Sequence, residues 1–600
     1  MTSSKLQCRL ARLGFLAFLF LLSGVPATSG WGVAPQDNDP ALPAAESLED
    51  GSAKSVDATG DATADKTSAA PEAIGLDKRI DDAIKPAAEW FISIVTYSTP
   101  AIGPIKPVPF VVLLLVCGAL YFTILFAFPN IRLFRLATQV VSGKFDDIEK
   151  AGTPPVKPDV LVADGDIVQT VRDEGQTGEV SHFQALATAV SGTVGLGNIA
   201  GVAVAIAIGG PGATFWMIVC GFLGMSTKFV ECTLGVTYRD IDKDGIVHGG
   251  PMYYLRKGFS ELGFGQVGAV LGVLFAVLCV GASFGGGNMF QANQVAAQVQ
   301  ALFGINANAP DATMLAKSSG ALIGLLMAVL VAVVIIGGIK RIAVVTEKIV
   351  PLMAIIYIGA ALIIIAANIS HVPAAIYEIF AGAFSPTAAV GSMVGVLIVG
   401  FQRAAFSNEA GAGSAAIAHS AVRTRYPASE GIVALLEPFI DTVVICTMTA
   451  IVIVLFNNNQ AQFEYGNVVD GSVQLLDGTV GRVGGVDLTS RAFDSVLPNF
   501  SYVLTVAIIL FAFSTMISWS YYGLQSWKYL FGRGKVADLT YKLLFCAFVV
   551  IGSGASLKAV IDFSDAMILA LVFPNMLGLV LLAPRVKREL ANYLKAIGRA

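Results

Sequence analysis

Two glycine-rich interruptions inside hydrophobic sequence constrain this chain more than any other feature. The first lies within residues 183–201 and contains Gly-Thr-Val-Gly-Leu-Gly-Asn, and the second lies within 401–419 and contains Asn-Glu-Ala-Gly-Ala-Gly-Ser. Both stretches begin Phe-Gln, and they start 218 residues apart. Glycine disfavours a continuous helix, and lipid cannot satisfy the backbone groups that a break releases. The pattern therefore predicts two membrane helices that are broken around a ligand.

The composition supports a membrane protein. Hydrophobic residues make up 55% of the chain, charged residues make up 14%, and the mean hydropathy is +0.70. A soluble protein of this length is not built that way. Nine acids against two lysines lie in residues 31–75, and the remainder is nearly neutral, which gives no basic surface for nucleic acid.

Eleven hydrophobic spans predict an all-α polytopic fold. They cover approximately 108–128, 183–209, 212–237, 266–299, 319–338, 342–368, 389–418, 428–456, 501–524, 539–556 and 560–583. Counted from the second span, the two broken ones are the first and sixth of ten helices. This spacing is typical of a 5+5 inverted repeat, with one helix preceding it, in secondary transporters.

The segments outside the spans have distinct compositions. We predict a signal peptide at 1–30, a disordered acidic segment at 31–75, an amphipathic pre-membrane segment at 76–107, a transporter domain at 108–590 and a tail at 591–600. An uncleaved anchor helix is the alternative for 1–30. Loop 457–500 has turn signals that favour a small β-hairpin lid, and 145–180 is predicted to be mostly loop.

Basic residues predict the orientation. With a cleaved signal and eleven crossings, the loops predicted to be cytoplasmic hold twenty-four Lys and Arg residues, and the external loops hold four. This positive-inside bias predicts a periplasmic amino terminus and a cytoplasmic carboxyl terminus in a bacterial inner membrane.

The first break carries oxygen atoms and helix-terminal N–H groups. The half-helix after Gly195 and Gly197 favours a substrate carboxylate. The carbonyls of Ser191, Thr193 and Val194, with the Asn198 side-chain oxygen, are the hard oxygen ligands that Na⁺ takes. No His/Cys cluster suits a transition metal.

The second break contains a buried acid. Phe406 supplies a wall, and Ser407, Asn408 and Glu409 supply polar atoms. A carboxylate at the bilayer centre costs about 2.5–3.5 kcal/mol on insertion scales, which makes an idle Glu409 improbable. It either pairs with Arg403 or the backbone, or it belongs to the ion or substrate site.

Two further spans have polar stripes. Three glycines before Asn288 and Gln291 indicate either close helix packing or a cavity wall. Ser514, Thr515 and Ser518 offer hydroxyls beside Trp519, although hydroxyls in membrane helices most often bond their own backbone.

Other buried charges have simpler expectations. We expect Lys228 and Glu231 to form an ion pair, and we expect Asp441 to be structural. His182 and His419 border the two breaks, where surface or gate positions are favoured over proton relays.

Five ordered motifs resemble the alanine/glycine:cation symporters. They occupy 192–202, 209–213, 249–254, 406–411 and 439–442, and the resemblance covers about 108–590. It implies the inverted-repeat core of the leucine-transporter superfamily and uptake of alanine or glycine coupled to Na⁺ or sometimes H⁺. Departures at Leu196, Ala404 and Ala412 leave the substrate size open.

The resemblance also implies site residues. Substrate contacts fall on Thr193, Gly195, Gln291, Phe406, Ser407, Thr515 and Trp519. One Na⁺ site fits the carbonyls of Ser191 and Val194 with the hydroxyls of Ser514 and Thr515, and a second uses Thr193 and Asn198.

The leading hypothesis is therefore a symporter, not an enzyme, that moves a small neutral amino acid with Na⁺ across the lipid bilayer. The alternatives are another small solute, H⁺ coupling, or an amino-acid sensor that does not transport. No Gly-x-Ser-x-Gly or His-Glu-x-x-His motif indicates an enzyme. The sequence leaves the oligomeric state open.

Overall fold

The computed structural model describes most of the chain from residue 76 onward. The described residues are 76–100, 107–150, 162–163, 166–167, 178–242, 245–306, 312–336, 338–385, 393–469, 471–478 and 482–599. The predicted signal peptide and acidic segment, residues 1–75, lie outside them.

The described residues are predominantly helical. The α-helices, in chain order, are α1 (Leu76–Val95), α2 (Phe110–Leu125), α3 (Pro129–Arg132), α4 (Phe134–Val141), α5 (Asp146–Lys150), α6 (His182–Thr193), α7 (Ala200–Gly209), α8 (Gly212–Thr237), α9 (Pro251–Glu261), α10 (Gly265–Phe284), α11 (Phe290–Leu302), α12 (Ser319–Ile335), α13 (Gly338–Ala367), α14 (Val372–Phe384), α15 (Met393–Asn408), α16 (Ala415–His419), α17 (Pro427–Val433), α18 (Leu436–Pro438), α19 (Thr447–Phe456), α20 (Val486–Asp494), α21 (Phe500–Phe531), α22 (Lys535–Gly554) and α23 (Leu557–Ala596). Short 3₁₀ turns lie at Leu196–Asn198, Ala316–Ser318 and Asn458–Gln460, and π-helical segments lie at Gly285–Met289 and Phe439–Cys446. Two antiparallel pairs of two-residue strands also occur: β1 (Val162–Ala163) pairs with β2 (Asp166–Ile167), and β3 (Asp240–Ile241) pairs with β4 (Val247–His248).

Helix length and apolarity identify membrane spans within the described ranges. Eight uninterrupted helical stretches are long and apolar enough to cross a membrane, and the bent pair α6/α7 makes nine. The predicted span 212–237 coincides with α8. The span predicted at 108–128 is a shorter helix of 16 residues, and an apolar helix, α14, lies where no span was predicted. The protein is thus a multi-pass helical membrane protein, and the count of eleven in a 5+5 repeat stays a prediction.

Both predicted breaks are present. α6 and α7 meet at an angle of 55° across Val194–Gly195 and a 3₁₀ turn. α15 ends at Asn408, and the chain is non-helical until α16 begins at Ala415. Gly411 and Gly413 have φ angles of +97° and +84°, which glycine adopts without steric cost. Local sequence therefore predicted the interruptions correctly.

The long loop before α21 contains a small sheet. β5 (Val468–Val469), β6 (Ser472–Gln474) and β7 (Arg482–Gly484) form an antiparallel sheet in the order β5-β6-β7. The hairpin prediction is confirmed by β5 and β6. The loop also contains α20, whose Thr489 hydroxyl donates to the Ile199 carbonyl at the start of α7, 3.2 Å away. The loop therefore packs directly on the first broken helix.

Burial separates central helices from peripheral ones. In their most apolar windows, 78% of α23 and 67% of α8 residues are buried inside the protein, against 28% for α13 and for α22. Apolar residues on the peripheral helices therefore face the surroundings, as lipid-facing side chains do. The two breaks and α23 surround the interior of the bundle.

Candidate functional site

A small cavity lies between the two breaks. Four elements besides the broken helices supply its walls: the π-helical segment 285–289, α11, α21 and α23. The lining residues are Gly192, Thr193, Gly197, Gly286, Gln291, Phe406, Glu409, Trp519 and Ile568. Such a pocket, with a few polar groups among apolar walls, is typical of a small-molecule site.

Side chains hold the first break open. The Asn198 Oδ1 atom accepts from the Gly195 N–H at 3.0 Å, and Gln291 Oε1 accepts from the Leu196 N–H at 3.0 Å. The Gln291 amide also donates to the Gly286 carbonyl at 2.9 Å. Gln291 therefore connects the break to the glycine-rich segment on the opposite wall. Gly197, at the amino-terminal end of α7, is left at the cavity surface.

Ser191 joins the first break to α21. Its carbonyl accepts from Thr515 Oγ1 at 3.0 Å, and its hydroxyl donates to the Ser514 carbonyl at 2.7 Å. Ser518 Oγ donates to Ser191 Oγ at 3.0 Å. The Ser514 hydroxyl bonds its own helix at Phe511, as hydroxyls in membrane helices usually do, whereas Thr515 and Ser518 do not.

Glu409 occupies the second break and faces the cavity. Its φ angle is +55°, a left-handed conformation that is rare for residues other than glycine and is often found at functional sites. Trp519 Nε1 donates to Glu409 Oε1 at 3.0 Å, and Ser414 Oγ donates to Oε2. Of the two roles considered, pairing with Arg403 is wrong, because Arg403 pairs with Asp565 of α23.

Asp441, in the second π-helical segment, is buried behind the breaks. Its carboxylate accepts from Asn198 Nδ2 at 2.7 Å, Ser407 Oγ at 2.8 Å and Thr442 Oγ1 at 2.7 Å. One acid thus contacts both broken helices. Sequence reasoning treated it as structural, since nothing local indicates that residues 243 positions apart meet here.

The predicted substrate residues divide into two groups. Thr193, Gln291, Phe406 and Trp519 line the cavity. Gly195, Ser407 and Thr515 do not lie on its described surface: Thr515 bonds Ser191, and Ser407 bonds Asp441. Sequence reasoning missed Gly192 and Ile568, whereas it had placed Gly197 at the carboxylate-binding half-helix and had offered the segment of Gly286 as a cavity wall.

The alternative in which Asn288 and Gln291 belong to a cavity wall is half correct. Gln291 lines the cavity, while the Asn288 amide donates to the Phe545 carbonyl at 2.7 Å. The π-helical turn between them changes the face that each residue presents, because it inserts an extra residue into the helix.

A second buried cluster, here named the carboxylate–imidazole chain, lies at the end of the bundle predicted to be cytoplasmic. His182 contacts Glu149 through Nε2 at 2.6 Å and Glu430 through Nδ1. His419 Nδ1 lies 2.5 Å from Glu430 and its Nε2 lies 3.5 Å from Glu437. Lys228 completes the chain by donating to Glu437 at 3.0 Å.

The carboxylate–imidazole chain corrects two expectations. Lys228 pairs with Glu437 and not with Glu231, whose Oε1 accepts from the Gly411 N–H at 2.8 Å and from Asn575 at 2.9 Å. His182 and His419 are buried, so surface positions are wrong. Both nitrogens of His182 face carboxylates, which are acceptors when ionised, so the ring requires two protons.

Known proteins resemble the chain over most of its length. The model of the sodium:alanine symporter family matches residues 161–599. The chain belongs to this family. It is therefore a membrane transporter rather than an enzyme, and its function is cation-coupled amino-acid symport.

Two relatives and one solved structure give the range of similarity. The sodium/alanine symporter AgcS of Methanococcus maripaludis is 40% identical over 419 residues, which cover 70% of this chain and 85% of that protein. The probable sodium/glutamine symporter GlnT of Bacillus subtilis is 33% identical over 418 residues, 69% of this chain and 79% of that protein. The crystal structure of MhsT in complex with L-phenylalanine matches with a TM-score of 0.44 and 16% identity, covering 70% of this chain and all of that one.

Proposed function

We propose that this symporter couples inward Na⁺ flow to uptake of alanine or glycine by alternating access. One observation carries the proposal: a cavity joins both broken helices and is lined by a carboxylate, glycine backbone and an aromatic wall. Broken helices that meet at a midplane site are the usual construction of ion-coupled transporters.

The cavity offers a complementary partner for each charge of an amino acid. The substrate carboxylate lies at Gly197, where the amino-terminal end of the α7 half-helix favours negative charge. The ammonium group donates to Glu409, which is the anionic side chain of the described lining. The side chain of the amino acid then contacts the apolar wall, which includes Phe406. A zwitterion thereby leaves no net charge unpaired in the interior.

The first sodium site fits the residues around Ser191. Ser191 O and Thr515 Oγ1 lie 3.0 Å apart, and the helix ends at Thr193, which frees the Val194 carbonyl from the α-helical pattern. These are hard oxygens, which suit Na⁺. A cation bound by Ser191, Val194, Ser514 and Thr515 would hold the first break against α21.

For the second sodium site we propose a ligand set that differs from Thr193 and Asn198. The Asn198 side-chain oxygen serves the Gly195 N–H, and the Thr193 hydroxyl points to the carbonyls of Ala189 and Val190 at 3.3 and 3.4 Å. Asp441 supplies the buried negative charge that a cation at this position requires, and Ser407 supplies a hydroxyl oxygen. We therefore place the second Na⁺ at Asp441, next to both breaks.

The energetics of coupling agree with the proposal. One Na⁺ that moves down a potential of about 100 mV releases roughly 2.3 kcal/mol, before its concentration gradient is counted.

Uptake by proteoliposomes tests the proposal. We expect labelled alanine and glycine to accumulate only under an inward Na⁺ gradient, and we expect an ionophore that dissipates the gradient to abolish accumulation. Accumulation driven by a proton gradient without Na⁺ would indicate H⁺ coupling. Binding without accumulation would indicate a sensor, and uptake of another solute alone would show that the scaffold carries a different substrate.

A further inference from the structure

The cavity has one apolar side chain that no sequence motif indicates. Ile568 lies in the middle of α23, is 2% exposed, and reaches the cavity lining together with Phe406 and Trp519. The other lining side chains, Thr193, Gln291 and Glu409, are polar. Trp519 is held by its hydrogen bond to Glu409. Ile568 supplies the aliphatic part of the described wall.

A glycine makes room for Ile568. Gly286 belongs to the π-helical segment 285–289, and a Cβ atom placed on it would lie 2.5 Å from Ile568 Cδ1 and 3.3 Å from Phe406 Cε2. Both distances are shorter than ordinary van der Waals contact, so a side chain here would displace Ile568 or Phe406. The backbone of Gly286 is itself held in place, because its carbonyl accepts from Gln291.

When the polar groups of the cavity bind the carboxylate and the ammonium of the substrate, the substrate side chain contacts the apolar wall. With the carboxylate at Gly197 and the ammonium at Glu409, the remaining lining atoms that suit a hydrocarbon group belong to Phe406, Ile568 and Gly286. The Phe406 ring is packed edge-on against Phe290 with centroids 5.1 Å apart, which limits its movement. The terminal methyl of Ile568 is the more adaptable boundary.

We propose that Ile568, seated against Gly286, sets the largest substrate side chain that the symporter accepts. This inference rests on the proposed function, because it uses the orientation of an amino acid in the cavity. Ile568 limits size from the α23 side, and Gly286 determines how far its methyl group reaches. A hydrophobic pocket discriminates one methylene group by about 10- to 200-fold, so shortening Ile568 has a measurable effect.

Substrate profiles of purified variants in proteoliposomes test the size limit. The variants are Ile568→Val and Ile568→Ala, and the competitors of labelled alanine are glycine, serine, valine and leucine. We expect Ile568→Ala to raise the valine-to-alanine selectivity ratio by about tenfold or more, and Ile568→Val to raise it less. Ile568→Val also keeps the test valid if the alanine variant folds poorly, because it removes a single methylene.

Gly286→Ala provides the opposite change. It pushes Ile568 or Phe406 into the cavity, so we expect alanine to lose against glycine. The double variant Gly286→Ala/Ile568→Ala removes the contacting methyl group, and we expect it to recover most of the alanine uptake. Recovery by a second truncation is a result that general damage to folding does not produce.

The matched control is Leu569→Ala. Leu569 neighbours Ile568 on α23 and is 3% exposed, but it is absent from the described cavity lining. An unchanged profile for Ile568→Ala, or an equal change for Leu569→Ala, would overturn the inference while wild-type alanine uptake upheld the proposed function. A wild type that carries some other amino acid would overturn the proposed function, and the same ratios measured around that substrate would still decide the role of Ile568.

Discussion

At the scale of single residues, the site depends on two acids that are buried in the membrane interior. Glu409 has a strained backbone and two neutral hydrogen-bond donors, Trp519 and Ser414. Asp441 has neutral donors from both broken helices. An ionised carboxylate in such surroundings is costly unless a cation accompanies it. Each acid is therefore expected to work with a different positive charge, the substrate ammonium at Glu409 and Na⁺ at Asp441.

The change Glu409→Gln tests the first assignment. Glutamine keeps an oxygen for the Trp519 N–H but removes the negative charge, so we expect alanine affinity to fall by about 10- to 150-fold, in line with the energy of a hydrogen bond to a charged group. Binding of labelled alanine is the measurement. Glu231→Gln is the control, since Glu231 is a buried acid outside the described cavity lining. Equal losses in both variants would contradict a role in substrate binding.

The change Asp441→Asn tests the second assignment. We expect the Na⁺ concentration for half-maximal uptake to rise by about 10-fold or more, because a full ligand charge is lost. The sodium dependence of alanine uptake measures this shift. Cys446→Ala serves as a control, since Cys446 makes only weak sulfur contacts with the same cluster, 3.3 Å from Asn198 and 3.4 Å from Ser407. An unchanged sodium dependence in Asp441→Asn would remove Asp441 from the ion site.

At the scale of elements, the carboxylate–imidazole chain fastens short helices to one another. It connects α5, α6, α16, α17, α18 and α8 through buried charges. The Tyr593 hydroxyl of α23 adds a hydrogen bond of 2.8 Å to Glu149. Helices of five residues such as α5 and α16 are too short to be stable alone, so these contacts determine their positions.

Removing the central imidazole should therefore destabilise the fold. In His182→Asn, Glu149 and Glu430 lose a cationic partner in the interior, and we expect a loss of about 3 kcal/mol or more of stability. Thermal unfolding in detergent measures it. The half-exposed pair Lys257–Asp240 gives the comparison, because Lys257→Gln is expected to cost about 1 kcal/mol or less. Similar unfolding temperatures for His182→Asn and wild type would contradict the expectation.

At the scale of the whole molecule, the cavity is closed in this conformation. Phe406 is 6% exposed and Trp519 is 1% exposed, so exchange of substrate requires the surrounding helices to move. The strand-like segment before α6 pairs with the segment after α16 through Val180 and Val422, and Arg423 N–H donates to the Val180 carbonyl at 2.8 Å. Opening at this end requires these segments to separate.

A disulfide across this contact tests that movement. Val180 and Val422 form a parallel β-bridge, which brings their Cα atoms close enough for a disulfide. The double variant Val180→Cys/Val422→Cys is therefore expected to crosslink under oxidation. We expect oxidation to reduce alanine uptake to about the level without a Na⁺ gradient, and a reductant to restore it. Each single-cysteine variant is the control. Undiminished uptake by the oxidised double variant would show that transport does not separate these segments.

The sequence predicted the parts of this molecule that depend on local composition. The span 212–237 and both breaks follow from apolar length and glycine placement, and the structure has them where they were expected. The partners of buried charges were predicted poorly. Lys228 selects Glu437, 209 positions away, over Glu231 one helical turn away, and Arg403 selects Asp565 over Glu409. Such choices depend on how helices pack, and nothing in a residue's own neighbourhood encodes them.

The π-helical segment Gly285–Met289 determines which way the side chains of α11 face. An extra residue is accommodated there, so a regular α-helix that ran from α10 to α11 with every residue retained would lose this accommodation. Every later side chain on α11 would then turn by about 100° around the axis. Gln291 would swing away from Leu196, and the first break would lose the amide that props it open. A helix without the π-turn would thus keep all of its functional side chains and direct those of α11 toward the wrong neighbours.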